Sequence, residues 1–459
     1  MQKLSLGILV TCVLLFLHAC GPSSSVESKP ERPDILLISL DTVRADALER
    51  GPNGGQPAMP ALRELAEGSI WFTNVFAPMA FTLPSHMTLL TGTHPETHYV
   101  STEKSLLPES IPTIAEVLKE HDYETAAFVT SSWLKGAFGF RRGFDRYEEL
   151  PVELTFAPRL RQRILARLSE PRAAGKPRFV FAHFFDAHSD FSSAGNKLSY
   201  FSPAEYRGDL APADVRLCDP LGNCATELLL RADREHIELN ASDIALHREL
   251  YRRGLRYLDD ELARLFSELD RSGALLNTVL LVVSDHGEEF REHGKFLHSQ
   301  VYRESLRVPV LARFHGSSDR GTVDRRLAGL EDVAPTLLAQ LGIPVPPSWQ
   351  GRNLLEAGLG SAPDLVAQDK LVRSIYSLRS ADHLFVWDFA TGEARGFDTV
   401  RDPGERGEVS VSPQERTDSS ERLFARLRHF RSLRPALVGR SDLVFGEQER
   451  AMLRSLGYL

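Results

Sequence analysis

The chain has 459 residues, enough for about two to three average domains or for one large α/β core. Its 42% hydrophobic and 25% charged content is that of a globular protein and excludes a fibrous or disordered chain. A net charge of −8 gives nucleic acid no footing, and Arg-rich stretches such as 159–167 read as solvated helix faces.

Residues 1–19 read as an export signal. Lys3 precedes an apolar run, Leu4 to Leu17, that is too short for a comfortable membrane span. Leu17-His18-Ala19-Cys20 has the form of a bacterial lipobox, which predicts cleavage before Cys20 and a lipid on its sulfur. An ordinary signal peptide or an uncleaved anchor is the plainer alternative. Residues 20–32 form a polar tether, and the expected place is the cell envelope, held to the membrane through Cys20. Gly21 after that cysteine suits the outer membrane of a Gram-negative organism.

An apolar strand, Asp34 to Leu40, ends in Asp41-Thr42. Met59–Gly68 has the pattern of an amphipathic helix, and Trp71–Phe76 that of a short strand. In Ala80–Gly92, Pro84 suits the first turn of a helix, Met87, Leu89 and Leu90 follow, and Gly92 is a stop. Thr82 is therefore expected just before the helix, where free N–H groups and the dipole favour an oxyanion. On its own it reads as a cap. Pro112–His121 is a helix, Thr125–Thr130 a strand, Pro158–Leu168 a helix, and Pro177–Phe185 a buried strand that leads to Asp186-Ala187-His188. This alternation predicts an α/β fold, a mostly parallel sheet sandwiched by helices.

Residues 189–241 break the rhythm and read as a lid-like insertion. They hold Cys218 and Cys224, a short-loop disulfide in an oxidising compartment or else two free thiols. Ser242–Asp270 is a long helix. Its Asp243 and His247 have the spacing of a metal pair, but an N-cap and a surface histidine explain them as well. The apolar run from Asn277 ends in Ser284-Asp285-His286. Val308–Phe314 is a strand and Glu331–Leu341 a helix, with a boundary near residue 360. Residues 361–459 then form a C-terminal subdomain: a small antiparallel sheet around 375–378 and 384–387, with helices at Arg416–Leu433 and Asp442–Leu456.

Asp41 and Asp285-His286 both follow apolar strands. In open α/β sheets functional groups gather beyond such carboxyl ends. Carboxylate and imidazole are ligands for a divalent cation, which could also hold the Thr82 hydroxyl and acidify it.

Thr82-Leu83-Pro84-Ser85-His86, followed by Leu89-Leu90-Thr91-Gly92, resembles the nucleophile motif of the sulfatase family in the alkaline phosphatase superfamily. That motif reads Cys or Ser, any residue, Pro, Ser, Arg, then LLTG. Ser284-Asp285-His286-Gly287-Glu288 resembles the family's SDHGE element, and Arg307-Val308-Pro309-Val310 and Asp332–Leu338 resemble two more. The likeness covers residues 33–355. It implies a catalytic domain over 33–360 and a metal-dependent ester hydrolase with Thr82 as nucleophile. The implied metal ligands are Asp41, Thr82, Asp285 and His286. His188 falls where the family has a substrate-binding histidine. Lys295 and His298 fall near a family lysine or, in two-metal relatives, a further ligand, so one ion or two are implied.

Three positions depart from the pattern. Thr82 stands where sulfatases oxidise Cys or Ser to formylglycine, and threonine cannot give that aldehyde. His86 replaces the motif arginine, and Thr42 the second residue of an Asp-Asp pair. The reduced ligand set suits Zn or Mn better than Ca. These departures favour phosphate esters, of a small molecule, glycan or lipid, over sulfate esters. The alternatives are a true sulfuric ester hydrolase, a phospho-headgroup transferase and a non-catalytic surface binding protein. The transferase would want several membrane spans, and the intact Asp41, Thr82, Asp285, His286 set argues against loss of catalysis.

Overall fold

The computed structural model describes residues 32–450 except 52–53, 152–156, 173–174, 189–228, 230–232, 234–238, 315–319, 363, 436–438, 441–444 and 448–449. The signal peptide, Cys20, most of the tether and of the lid-like insertion, Cys218 and Cys224, and most of the last helix lie outside the described residues.

Strand β1 (Asp34–Leu40) is buried on both faces, as strands inside a covered sheet are. Helix α1 (Pro60–Glu67), strand β2 (Ile70–Phe76) and helix α2 (Thr82–Thr91) follow. Next come α3 (Ile114–Glu120), β3 (Glu124–Val129), β4 (Arg146–Glu149), α4 (Ala157–Ser169) and β5 (Arg178–Phe184). The long α5 (Ala241–Arg271) leads to β6 (Thr278–Ser284), β7 (Arg307–Arg313) and α6 (Val333–Gln340). Strands β8 (Leu365–Gln368), β9 (Ile375–Arg379), β10 (His383–Asp388) and β11 (Ala394–Asp398) form a separate antiparallel sheet, and α7 (Pro413–Ser432) follows it.

The large sheet runs β2-β7-β6-β1-β5-β3-β4, with short strands at Val323–Asp324 and Ala328–Gly329 pairing with β2. It is mostly parallel, and β7 lies antiparallel to both its neighbours. Alternate β1 residues point to opposite faces. Ile35 and Leu37 join a cluster with α2, α3 and α6. Leu36, Ile38 and Leu40 join one with α1, α4 and α5. Helices thus cover both faces. Register then sets the site: Leu40 pairs with Phe184 and with Ser284, so β1, β5 and β6 end level with one another.

Helix starts differ from the expected ones. Helix α2 begins at Thr82, with Phe81 as its cap, so Thr82 is the first helical residue rather than the one before the helix. Pro84 allows this because the first N–H groups of a helix have no intrahelical partner anyway. Helix α3 starts at Ile114, since Thr113 and Glu116 make a capping box. In α5 the Asp243 carboxylate accepts from the Asn240 N–H at 2.9 Å, closing a capping box. His247 is buried rather than on the surface, and it packs edge-on against Phe296. Asp243 is thus used as a cap.

Candidate active site

The level strand ends bring Asp41 and Asp285 together. The Asp41 N–H donates to the Phe184 carbonyl at 2.9 Å, so Asp41 continues the β1 ladder by one step. Asp285 follows β6, and its Oδ1 accepts from the Thr42 N–H at 3.2 Å and the His286 N–H at 2.9 Å. Ser284 ties the two turns together: its hydroxyl accepts from the Val43 N–H and donates to the His286 carbonyl. Thr42 holds a left-handed backbone, φ 57°, where branched residues are rare.

Thr82 enters from the start of α2. It is fully buried, and its side chain hydrogen-bonds the Asp41 carboxylate. His86, one turn on, fixes that helix end. Its Nδ1 lies 2.9 Å from the Thr82 carbonyl and its Nε2 2.8 Å from the Ser39 hydroxyl. Nδ1 therefore donates and Nε2 accepts. His86 also stands 3.4 Å from Asp285 Oδ2. His183, on β5, reaches Asp41 Oδ2 with Nε2 at 3.1 Å and Thr130 with Nδ1 at 3.1 Å. His86 and His183 thus hold the ligands from behind.

These residues fit a divalent cation. Ligand atoms of Asp41, Asp285 and His286 all lie within 4.8 Å of one another. Asp41 Oδ1, Asp285 Oδ2 and His286 Nε2 are buried without a hydrogen-bond partner among the described residues, which a folded protein tolerates only where something else meets the atom. His286 Nδ1 donates to the Gly287 carbonyl at 3.0 Å, which leaves Nε2 with its lone pair. Burial pushes the Asp41 carboxyl well up, against the pull of Lys370. Burial and then Asp41 push Asp285 up. Burial drives His183 and His286 down to about 3, so both are neutral. Two buried carboxylates face each other, and a cation between them would remove the repulsion.

The other wall is a row of imidazoles. His188 stacks on Phe185 at 4.3 Å and meets His298 edge-on at 5.1 Å; His298 lies 4.5 Å from His286. Glu288 stands behind, with Oε1 3.4 Å from His298 Nδ1 and Oε2 lacking a partner. Lys295 sits half-buried on a hairpin turn, and its charge acts on Asp369.

A half-buried lysine does stand at the centre, but it comes from the turn between β8 and β9. Lys370 Nζ lies 5.2 Å from the Phe81 ring centroid, and its charge is felt at Asp41, Glu288, His286 and His298. Burial lowers its amine to about 7, against Glu288, which raises it. Sequence reasoning missed Lys370 because no motif surrounds it. It missed the roles of His183 and Glu288 too, although His183 lies inside an apolar strand, where a histidine needs a reason.

A family model described as Sulfatase matches residues 33–343. The multifunctional alkaline phosphatase superfamily protein PehA of Trinickia caryophylli is 26% identical over 239 residues, 49% of this chain and 45% of that relative. The chain thus spans less than half the length of that relative. An N-acetylglucosamine-6-O-sulfatase of Bacteroides thetaiotaomicron is 24% identical over 420 residues, 76% of this chain and 74% of the relative. The crystal structure of a phosphonate monoester hydrolase of Agrobacterium radiobacter superposes with a TM-score of 0.67 at 21% identity, over 87% of this chain and 96% of that one.

Proposed function

The chain belongs to the sulfatase family, and on that premise we propose that it is a metal-dependent hydrolase that cleaves phosphate esters through a covalent intermediate on Thr82. The observation that carries this reading is Thr82 itself, hydrogen-bonded to Asp41 beside a buried, partnerless ligand set. A divalent cation held by Asp41, Asp285, His286 and the Thr82 hydroxyl, Zn or Mn by the donor set, would polarise the ester and acidify that hydroxyl.

Asp41 aligns the Thr82 Oγ by accepting its hydrogen bond, while His86 and His183 keep the helix end and the carboxylate in place. Oγ attacks phosphorus, the Oγ–P bond forms and the bond from phosphorus to the alcohol oxygen breaks. The alcohol leaves with the proton that Oγ gives up. Water then attacks phosphorus, the Oγ–P bond breaks, and Thr82 regains its proton from that water. His188, His298 and Lys370 line the wall that faces the remaining oxygens, where donors stabilise the charge that develops. The Thr82 methyl bars the aldehyde through which a sulfate could be expelled by elimination, so a sulfate bound there would wait for water.

The test is kcat/KM for matched aryl phosphate, phosphodiester and sulfate substrates with metal restored. Phosphate or phosphodiester should be preferred. Thr82→Ala should abolish turnover at little cost in stability, and Thr82→Ser should keep part of the activity. A clear preference for sulfate, or full activity of Thr82→Ala, would falsify the mechanism. The length of the match to the N-acetylglucosamine-6-O-sulfatase favours a second reading, a sulfuric ester hydrolase with unmodified threonine, and the same assay separates the two.

Location belongs to the same proposal: the mature protein starts at lipidated Cys20 in the cell envelope. No helix of the described residues is long and apolar enough to cross a membrane. Mass spectrometry of the N-terminus checks the cleavage and the lipid, and an unmodified start elsewhere would end the idea.

A further inference from the structure

Two cavities adjoin on the side of the sheet where β2 and β7 pair, and Arg303 and Arg307 line both. The larger, about 320 Å³, is lined by Arg303, Arg307, Arg325 and Arg379, with Glu405 as its carboxylate. The smaller, about 200 Å³, sets four arginines against three carboxylates, Asp46, Glu49 and Glu304. The larger cavity therefore carries the greater excess of positive charge, four arginines against one carboxylate.

The arginines divide by role. Arg379 is buried, forks onto Glu405 at 2.5 and 3.0 Å, and lies over the Phe76 ring. Arg307 is held by Glu49 at 2.7 Å and the Thr73 carbonyl at 2.8 Å. The guanidinium groups of Arg303 and Arg325 make no hydrogen bond or ion pair among the described residues. Two fixed guanidiniums thus build the wall and two unengaged ones face the space. Thr399, from the turn after β11, adds a hydroxyl. Arg303 is half-buried and Arg325 exposed at the rim, so an anion can reach both, and guanidinium forks match the paired oxygens of sulfate and phosphate.

We propose that this cavity is a second anion site, which binds a sulfate or phosphate group away from Thr82. Arg379 ends the strand whose other end adjoins the Lys370 turn, and four residue steps of about 3.4 Å put roughly 14 Å between those ends. The volume lies at the small end of the range for ligand pockets, roughly 300–1,000 Å³, so it holds the anion with a small group attached. The occupant is either free anion or a second charged group on the substrate.

Equilibrium dialysis of the metal-loaded full chain with labelled inorganic phosphate tests this, at fixed ionic strength. The wild type should bind two ions per chain. Arg303→Ala/Arg325→Ala should bind one, with the melting temperature unchanged. Arg325→Ala alone, at an exposed position, should weaken the second ion if the double variant folds poorly. An unchanged stoichiometry and affinity in these variants would overturn the proposal. Asp285→Asn addresses the other ion, so failure of the Thr82 reading shows in that variant alone. For the source, kcat/KM on a singly charged ester and on one with two charged groups is compared in the double variant. A drop of about tenfold confined to the second substrate assigns the cavity to the substrate's other charge, and no drop assigns it to free anion.

Discussion

Thr42 shows at the scale of one residue how the site is made. Its left-handed backbone costs roughly 1–3 kcal/mol for a branched residue, and its buried hydroxyl has no partner among the described residues. The same conformation aims its N–H at Asp285 and its carbonyl at the Tyr251 hydroxyl, 2.8 Å away. Aspartate enters this region more readily and brings a carboxylate. Thr42→Asp should therefore bind divalent ions at least tenfold more tightly and shift preference toward Ca, read by calorimetry, while lowering the melting temperature of metal-free protein. Lys370 makes a second prediction. Its amine is lowered to about 7, so it is charged below that pH and neutral above. If the charge holds the substrate anion, kcat/KM falls as pH rises through about 7. Lys370→Arg, which stays charged, should flatten that limb, and a limb unchanged in Lys370→Arg would assign it to another group.

Among elements, the turn after β6 is tightly set. Gly287 donates to the Ser305 carbonyl at 2.7 Å, and a Cβ there would come within 2.0 Å of the Glu304 carbonyl oxygen. Gly287→Ala should lower stability by about 1–3 kcal/mol in urea unfolding and weaken metal binding as well, because His286 hangs its Nδ1 on the Gly287 carbonyl. Stability and metal affinity equal to wild type would show that the turn has slack. This turn was legible in the sequence: an apolar run followed by Asp-His-Gly announces a strand end that carries candidate ligands. The β1 end was legible in the same way, and so was the alternation of strand and helix. Lys370 was not, because a lone lysine in an antiparallel region has no period or spacing to betray it. Thr82's place within α2 was hidden as well, since Pro84 is compatible with either start. The register that levels β1 and β6 depends on pairings between distant residues, which local pattern does not contain.

Across the whole molecule, the C-terminal sheet is continuous with the core around the site. Leu365, Ala367, Leu384, Val386 and Phe397 are buried in the cluster that contains Leu83 and Met87 of α2. The other face of that sheet packs Tyr376 and Phe385 against Leu423, Leu427 and Phe430 of α7. A chain ended at residue 360 would expose that apolar surface and lose Lys370. It should be recovered mainly as aggregate, and any soluble fraction should turn over less than a hundredth as much ester as the full chain, on the order of what a missing electrostatic donor costs. Soluble, fully active 1–360 would show that the C-terminal sheet is dispensable. The position of Lys370 has one more consequence. Asp41, Thr82, Asp285 and His286 all precede it in the chain, so all four are synthesised before Lys370 is. Order of synthesis thus sets Lys370 last among these residues, and any chain cut short of residue 370 lacks it.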